Sequence, residues 1–251
     1  MKYGDYIPMR PIRKLMARES PVDIILPYYD ECEKVLELCK GIWTYTPLTP
    51  YKLYVVDDYS RHKTFIYTFR KTPFTTIIRN DARLGFGASL YEGFKVSNNP
   101  WVVFLHSDCK IDRPTWLTDL FASYYNLANY RVGMVAPRTN NPLVKNQGLK
   151  AESNAQPIAD MILKEGYLPL YCVLCRRDLF NKVGGFIKPY PFRGYEDEEL
   201  AIRMRKHGYL QGISGRSWIF HEGSATVKKI PNYSVILEKN RDLCLQDLRS
   251  K

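Results

Sequence analysis

The chain has 251 residues, enough for one large domain or two small ones. Hydrophobic residues make up 45% and aromatic residues 14%, which argues against a disordered chain because a core can form. The net charge of +11 favours anionic partners such as nucleic acid, lipid headgroups or nucleotide phosphates, but the basic residues are spread along the chain, so charge alone does not choose among them.

No apolar run reaches the roughly 18 residues of a membrane span, and the first residues lack the apolar stretch of a signal peptide. We therefore expect a cytoplasmic protein without a transmembrane segment. The densest basic group lies in a predicted N-terminal arm, residues 1–20, which is either an interaction tail or a solvated one. Its cations are Arg10, Arg13, Lys14 and Arg18.

The pattern after this arm alternates predicted strands with predicted helices. "VDIILP" predicts a buried parallel strand, and "ECEKVLELCKGIW" a helix. "YKLYVVDDYS" predicts a second strand, "TFIYTFRKT" a helix, "FTTIIRN" a third strand, "GFGASLYEGFKVS" a helix, and "PWVVFLHSD" a fourth strand. Such alternation is typical of a doubly wound α/β sheet with right-handed crossovers.

The second half continues with the helix "PTWLTDLFASYYNLA", the strand "RVGMVAP" and a polar loop, "NNPLVKNQGLKAESNAQP", long enough to be a lid or binding loop. "LPLYCVLCRRDLFNKVGGF" predicts a strand followed by a helix, "EDEEL" opens another helix, and "QGISGRSWIFHEGS" predicts a strand ending at His221. A C-terminal helix closes the chain. No linker divides it into independent domains.

The six cysteines have no disulfide-framework spacing. Cys172 and Cys175 form one CxxC pair, but it lies inside an apolar run. A structural zinc site needs a second ligand pair, and none is visible. We therefore predict buried free thiols.

Polar side chains fall where the predicted strands end: Tyr29 and Asp30, Asp57 and Asp58, and His106 and Asp108. Ligands of open parallel sheets bind at the carboxyl edge, so these residues are candidates for a binding site. The dinucleotide-binding glycine pattern and the Walker lysine are both missing. In "LHSDCKID", Asp108 is either a metal ligand beside His106 or the cap of the next turn.

Several segments resemble, in order, the motifs of the family 2 glycosyltransferases of the GT-A fold. They are "VDIILPYYDE", "YVVDDYS", "RNDARLGFGASLYEGF", "FLHSDCKIDRPTWLTDL", "CRRDLFNKVGGF", "GYEDEELAIRMRKHGY" and "IFHEGS". The resemblance implies a Rossmann-like, mostly parallel α/β sheet flanked by helices. It also implies one GT-A domain over residues 21–228, with a nucleotide-sugar half (21–110), an acceptor and catalytic half (111–228) and a C-terminal helix (229–251).

The resemblance also implies residue roles. Pro27, Tyr29 and Glu31 would border the nucleobase, Asp58 would accept from its imide, and Asp57 would support that turn. Arg83 and Ser107 complete the implied donor-binding set. Asp108 and His221 would bind Mn²⁺ or Mg²⁺. His106 replaces the first acid of the family's Asp-x-Asp motif, either as a third metal ligand or as a donor contact.

The catalytic base is expected in the acidic helix start. Asp197 matches the family's base, with Glu196 as the alternative, and Glu199 is expected to pair with Arg203 one turn later. Arg193 and Trp218 are candidates for acceptor binding; a solvated loop for Arg193 and core packing for Trp218 are equally open interpretations.

The expected activity is inverting, metal-assisted transfer of a sugar from a nucleoside diphosphate, uridine-linked by the motif, to a hydroxyl acceptor. The acceptor remains open among a glycan, a glycolipid reached peripherally at a membrane, a protein, and a hydroxymethylated base in DNA. Two other functions also remain open. The first is a catalytically degenerate binding module, because His106 replaces an acid. The second is a nucleotidyltransferase, although the glycine-rich phosphate loop usual in that class is missing from this sequence.

Overall fold

The computed structural model describes residues 4–8, 21–62, 74–142, 157–186, 194–223 and 232–249. Several predicted features lie outside these ranges. They are the helix over "TFIYTFRKT", the four cations of the arm, most of the polar loop 140–157, and Arg193.

The described strands are β1 (Gly4–Ile7), β2 (Val22–Tyr28), β3 (Tyr51–Asp57), β4 (Thr75–Arg79), β5 (Trp101–Leu105), β6 (Cys109–Lys110), β7 (Val132–Arg138), β8 (Asp160–Leu163), β9 (Cys172–Arg176), β10 (Leu210–Trp218) and β11 (Phe220–His221). The described helices are α1 (Cys32–Tyr45), α2 (Phe86–Val96), α3 (Trp116–Asn126), α4 (Arg177–Lys182), α5 (Glu196–Lys206) and α6 (Tyr233–Arg249). A 3₁₀ turn, Ala128–Tyr130, follows α3.

A nine-stranded sheet in the order β1-β8-β10-β7-β9-β5-β2-β3-β4 forms the centre of the molecule. β2 pairs in parallel with β3 and β5, β3 with β4, and β10 with β7. β8 and β9 run in the opposite direction to the other strands. The short strands β6 and β11 form a separate antiparallel pair. The predicted mostly parallel α/β sheet flanked by helices is confirmed.

The core lies on both faces of this sheet because side chains alternate along each strand. Ile24 of β2 packs into one layer with α1 and α3, and Ile25 packs into the other with α2, α4 and α5. Gly93 of α2 permits close packing, since an added Cβ would lie 2.5 Å from the Ile25 Cγ2 atom. These contacts explain why the strands are continuous apolar runs.

Three strands were not predicted. β1 lies in the segment expected to be an arm and pairs antiparallel with β8, Gly4 opposite Leu163. β6 has two residues, and β8 follows the polar loop. Short strands of this kind carry too little periodicity to be recognised without their pairing partners.

The predicted C-terminal helix is confirmed as α6. Its Asn240 is fully buried and donates from Nδ2 to the carbonyl oxygen of Gly194 at 3.4 Å, immediately before α5. Cys244, one turn later, is also buried. α6 therefore supports the backbone from which the acidic helix begins. Among the described helices, none has the length and hydropathy required to cross a lipid bilayer.

Candidate active site

Polar residues from several strands meet at the carboxyl edge of the sheet. β5 ends before His106, β7 before Asn140, and β10 leads into β11 and His221. β9 runs antiparallel, so Tyr171, which precedes it, lies at the same edge. The parallel topology thus places residues that are far apart in the sequence side by side.

His106, Asp108 and His221 form a compact cluster there. Asp108 Oδ1 lies 3.2 Å from His221 Nε2 and 3.6 Å from His106 Nδ1. One ligand atom from each residue lies within 4.8 Å of the other two. Two ligands bound to one ion at about 2.1 Å stand at most about 4.2 Å apart, so a small contraction would let all three coordinate a single ion.

The surrounding chain fixes this cluster. The Tyr171 ring stacks on His221 with centroids 4.7 Å apart and an interplanar angle of 13°. The Tyr171 hydroxyl donates to the carbonyl oxygen of Pro137 at 2.7 Å, while its own carbonyl accepts from the His106 N–H at 2.7 Å. Asn140 exchanges two hydrogen bonds with the His221 backbone, at 2.7 and 3.2 Å. The imidazole of His221 therefore has a defined orientation.

The cluster is buried and charged. Burial alone would raise the pKa of Asp108, but the neighbouring His106 and His221 rings outweigh it and hold that pKa well below its ordinary value. Asp108 is therefore a carboxylate throughout the physiological pH range. Lys34, on α1, pairs with Glu222 at 2.6 Å beside this site.

These residues fit a divalent metal ion. Both carboxylate oxygens of Asp108 and both ring nitrogens of His221 are buried and make no hydrogen bond of good geometry to the described residues. Polar atoms buried in this way are costly unless a ligand satisfies them. Two imidazoles and one carboxylate suit Mn²⁺ better than Mg²⁺, which prefers oxygen ligands alone.

Asp57 and Asp58 organise the neighbouring loops. Asp57 accepts from the Ser60 N–H at 2.8 Å and pairs with Arg79. Asp58 accepts from the N–H groups of Leu84 and Gly85, at 2.7 and 2.9 Å. The carboxylate of Asp58 thus holds the segment that enters α2, and Gly85 supplies the left-handed φ of 92° needed there.

The remaining predicted donor residues differ in their accessibility. The exposed guanidinium of Arg83 lies 3.9 Å from the ring centroid of the half-buried Tyr29, so these two predicted residues are in contact. Glu31 and Ser107 are half-buried. Pro27 is buried inside β2, so it supports this edge from within the strand rather than presenting a surface to a base.

The two candidate bases in the first turn of α5 have different surroundings. The buried carboxylate of Glu196 packs on the first turn of α2, 3.8 Å from where a Cβ of Gly87 would stand. The ring of Phe86, next to Gly87, packs edge to face on the His106 ring, with the ring centroids 4.2 Å apart. Asp197 is half-buried and lies close enough to Tyr167 to add to the effect of burial in raising the pKa of that tyrosine. Glu196 is thus connected to the cluster through α2, and Asp197 lies towards the Tyr167 loop.

The expected pair between Glu199 and Arg203 is confirmed. Arg203 Nε donates to Glu199 Oε1 at 2.5 Å, and Arg203 Nη2 donates to the Gly185 carbonyl at 2.7 Å. This buried pair ties α5 to the glycine turn after α4. Trp218 is only 4% exposed beneath Arg113, whose guanidinium lies 5.5 Å from the ring centroid. Such burial favours core packing over the predicted direct contact with an acceptor.

The prediction that the cysteines form no disulfide and are buried is confirmed for all six, which lie within the described residues. Burial raises the pKa of Cys175 to about 12. Within the described ranges, the group with metal-ligand geometry is the one formed by His106, Asp108 and His221.

The glycosyl transferase family 2 model matches residues 23–188, about two thirds of the chain. The chain belongs to this family. The match includes Asp57, Asp58, His106 and Asp108. It ends before α5 and His221, which the structure places beside the other residues of the candidate site. No curated protein matches the chain by sequence.

Solved structures of similar fold are GT-A glycosyltransferases. GalNAc-T7 with UDP, GalNAc and Mn²⁺ has a TM-score of 0.66 and 13% identity over 80% of this chain and 44% of its own. The mannosyltransferase PcManGT from Pyrobaculum calidifontis with GDP-Man and Mn²⁺ has a TM-score of 0.59 and 19% identity, covering 81% of this chain and 57% of that chain. TarS 1–349 of S. aureus has a TM-score of 0.55 and 16% identity, covering 81% of this chain and 61% of that chain. The chain therefore spans roughly half the length of these proteins, and it shares their fold.

Tyr171 and Asn140 were missed as site residues. Tyr171 lies in the apolar run "LPLYCVLC", and Asn140 opens a polar loop. A tyrosine in such a run signals only that its hydroxyl needs a partner. Their positions beside His221 follow from pairing between strands and loops far apart in the sequence.

Proposed function

We propose that this chain is an inverting glycosyltransferase. It transfers a sugar from a nucleoside diphosphate-sugar to a hydroxyl acceptor with the help of a divalent metal ion. The observation that carries the proposal is the buried His106–Asp108–His221 cluster at the carboxyl edge of the sheet, with α2 and the acidic start of α5 beside it. Family membership supports the same class of donor.

Asp108 and His221 would hold the ion, with His106 as the third ligand. A bound cation supplies charge compensation for the leaving diphosphate. The nitrogen-rich ligand set leads us to propose Mn²⁺ in preference to Mg²⁺. Mn²⁺ is also named with GalNAc-T7 and PcManGT.

The donor would lie along the strand ends, with its base near Tyr29 and Arg83. The proposal of uridine rests on Asp58, which already accepts three hydrogen bonds, from Asn80, Leu84 and Gly85. A carboxylate offers about four acceptor positions, so a base imide N–H would take the last. GalNAc-T7 was solved with UDP and PcManGT with GDP-Man, so a donor panel must include both bases.

A carboxylate of α5 would act as general base. It takes the proton of the acceptor hydroxyl as that oxygen bonds to the anomeric carbon, and the bond from this carbon to the diphosphate oxygen breaks on the opposite face. Configuration is therefore inverted. A positioned base contributes roughly 10²–10⁴-fold in rate. Asp197 is our first choice because it matches the motif, and the packing of Glu196 on α2 makes Glu196 the direct alternative.

The first experiment is a panel of UDP- and GDP-sugars scored for release of the nucleoside diphosphate with Mn²⁺, with Mg²⁺ and with EDTA. We expect turnover with at least one donor, fastest with Mn²⁺ and abolished by EDTA. Asp108→Asn should remove it, whereas Asp242→Asn, on the exposed side of α6, should not. Donor binding without turnover would instead support a degenerate binding module, and release of pyrophosphate from a nucleoside triphosphate would support a nucleotidyltransferase.

The second experiment separates the two candidate bases. Asp197→Asn and Glu196→Gln are compared for turnover and for donor affinity. The base variant should lose roughly 10²–10⁴-fold in kcat while binding the donor normally. A positioning residue should instead raise KM, so the two variants are distinguishable.

The acceptor is a glycan, a glycolipid, a protein or a modified base in DNA. The charge of +11 is the reason to test DNA. Specific phosphate contacts would make duplex binding fall steeply with salt. If duplex DNA does not bind, or binds independently of salt, DNA is excluded as the acceptor, and a glycan, a glycolipid or a protein remains.

A further inference from the structure

A cavity of about 450 Å³ lies at the other edge of the sheet, away from the candidate active site. It forms where β7 and β10 begin and β9 ends. β7 has seven residues, so at about 3.3 Å per residue its two ends stand roughly 20 Å apart. A ligand in this cavity would not touch His106, Asp108 or His221.

Two cations pack on one tyrosine in the lining of the cavity. The guanidinium of Arg131 lies 5.1 Å from the Tyr209 ring centroid, and the Lys182 ammonium lies 5.7 Å from it. Lys182 Nζ also donates to the Tyr209 hydroxyl at 3.4 Å, and both cations lower the pKa of this tyrosine. Among the described residues, no carboxylate forms an ion pair with Arg131 or Lys182.

The position of Arg131 is imposed by the fold. Its φ is 54°, in the left-handed region that residues other than glycine adopt uncommonly. Its guanidinium packs over Gly208, where an added Cβ would lie 3.3 Å from Nη1. Gly208 itself has a φ of 74°, so a side chain there would be both strained and crowded. Two unusual backbone conformations thus place one cation over the cavity.

The cavity is also lined by two further tyrosines and a third cation. Tyr124 and Tyr125 pack edge to face, with ring centroids 6.0 Å apart. Arg176 contributes a guanidinium, whose Nε donates to Asp178 Oδ1 at 2.9 Å, so the carboxylate of Asp178 neutralises it. The lining therefore has an excess of positive charge between tyrosine rings.

We propose that this cavity binds a phosphorylated sugar. Its volume lies in the range of small-molecule sites, roughly 300–1,000 Å³. Arg and Lys recognise phosphate through charge-assisted hydrogen bonds, and tyrosine rings offer flat apolar faces and hydroxyl groups to a sugar ring. This inference goes beyond the proposed transferase activity and does not depend on it.

The test uses calorimetric titration of the full chain in EDTA, so that no metal ion assists binding at the other edge. The probes are glucose 6-phosphate, inorganic phosphate and glucose. The buffer contains about 0.15 M salt, which screens long-range attraction to the basic surface beyond about 8 Å. We expect glucose 6-phosphate to bind most tightly, phosphate about tenfold more weakly, and glucose not measurably.

Substitutions test whether glucose 6-phosphate binds in this cavity. The double variant Arg131→Gln/Lys182→Gln should weaken glucose 6-phosphate binding about tenfold or more, since two charge-assisted contacts are lost. The control Lys40→Gln/Lys52→Gln removes two exposed cations elsewhere and should leave binding unchanged. Tyr209→Ala should reduce the affinity for glucose 6-phosphate to that for inorganic phosphate.

Equal weakening by the two double variants would overturn the proposal, because it would show attraction to net charge rather than to this cavity. Equal affinity for phosphate and glucose 6-phosphate in the unmodified chain would reject the sugar. No binding by any probe would reject the site. All substituted residues are exposed or half-buried, and thermal unfolding verifies that each variant is folded.

Discussion

Replacing Tyr171 by leucine should weaken Mn²⁺ binding about tenfold or more, whereas phenylalanine at this position should leave it nearly unchanged. Tyr171 makes no contact with the ion in this scheme. It acts through His221, on which its ring stacks at 4.7 Å. Phenylalanine keeps this ring, and leucine removes it.

The magnitude follows from the contacts. Residues that orient a metal ligand typically change metal affinity about 10–100-fold when replaced, and tenfold corresponds to about 1.4 kcal/mol. That figure agrees with the roughly 0.5–1.5 kcal/mol of an aromatic pair. The lost hydrogen bond from the Tyr171 hydroxyl to Pro137 should cost about 1–1.5 kcal/mol of folding stability in both variants.

The assay is titration of free Mn²⁺ by electron paramagnetic resonance, with urea unfolding measured in parallel. The matched control is Tyr54→Leu, because Tyr54 is also buried but packs in the core layer on the other face of the sheet. Tyr54→Leu should lower stability without lowering metal affinity. If Tyr54→Leu weakens Mn²⁺ binding as much as Tyr171→Leu, or if Tyr171→Phe weakens it as much as leucine, the stacking argument is refuted.

Four further predictions follow from the described contacts. Asp58→Ala should lower the free energy of unfolding in urea by about 2–4 kcal/mol, because it leaves the buried N–H of Gly85 and the part-buried N–H of Leu84 without acceptors. Asp81→Ala, at an exposed residue, should change it by less than about 0.5 kcal/mol, and equal costs would contradict this. Arg203→Met should cost about 3–5 kcal/mol, since it leaves a buried carboxylate unpaired, and a cost below about 1 kcal/mol would show that the pair is not buried in solution. The pKa of Asp108 is lowered in the folded chain, so its contribution to stability should be complete above the pKa of the unfolded chain, about 3.9, and fade as the pH falls below it. In EDTA, the difference in unfolding free energy between the unmodified chain and Asp108→Asn should therefore shrink on acidification. A difference that stays constant with pH would argue against the coupling of Asp108 to the histidines. The six buried thiols should react with a thiol-specific dye in urea and only slowly in the native chain, and fast native labelling would contradict their burial.

Local sequence pattern determined the strands that build the carboxyl edge. β2 and β5 are buried throughout and β3 is buried from Leu53 onwards, and such apolar runs are recognisable without knowledge of their partners. The polar residues that end them, together with parallel topology, were sufficient to predict one shared edge. The order of motifs added the family.

Other features could not be predicted because they depend on contacts between distant segments. Asn140 and His221 are 81 positions apart, and Tyr171 and Cys109 are 62 apart, yet both pairs form hydrogen bonds. No local periodicity encodes such contacts. They arise when β7, β9 and β11 assemble, after the loops between them have closed.

The acidic start of α5 shows most clearly which features the local sequence determines and which depend on tertiary packing. The sequence by itself determined that the run Glu196–Glu199 begins a helix, since acids suit the positive end of the helix dipole. It could not determine where each carboxylate goes, because neighbouring helical residues point about 100° apart and only packing selects a direction. The tertiary structure decided that Glu199 pairs with Arg203, that Glu196 packs on α2 beside the histidine cluster, and that Asp197 lies towards Tyr167.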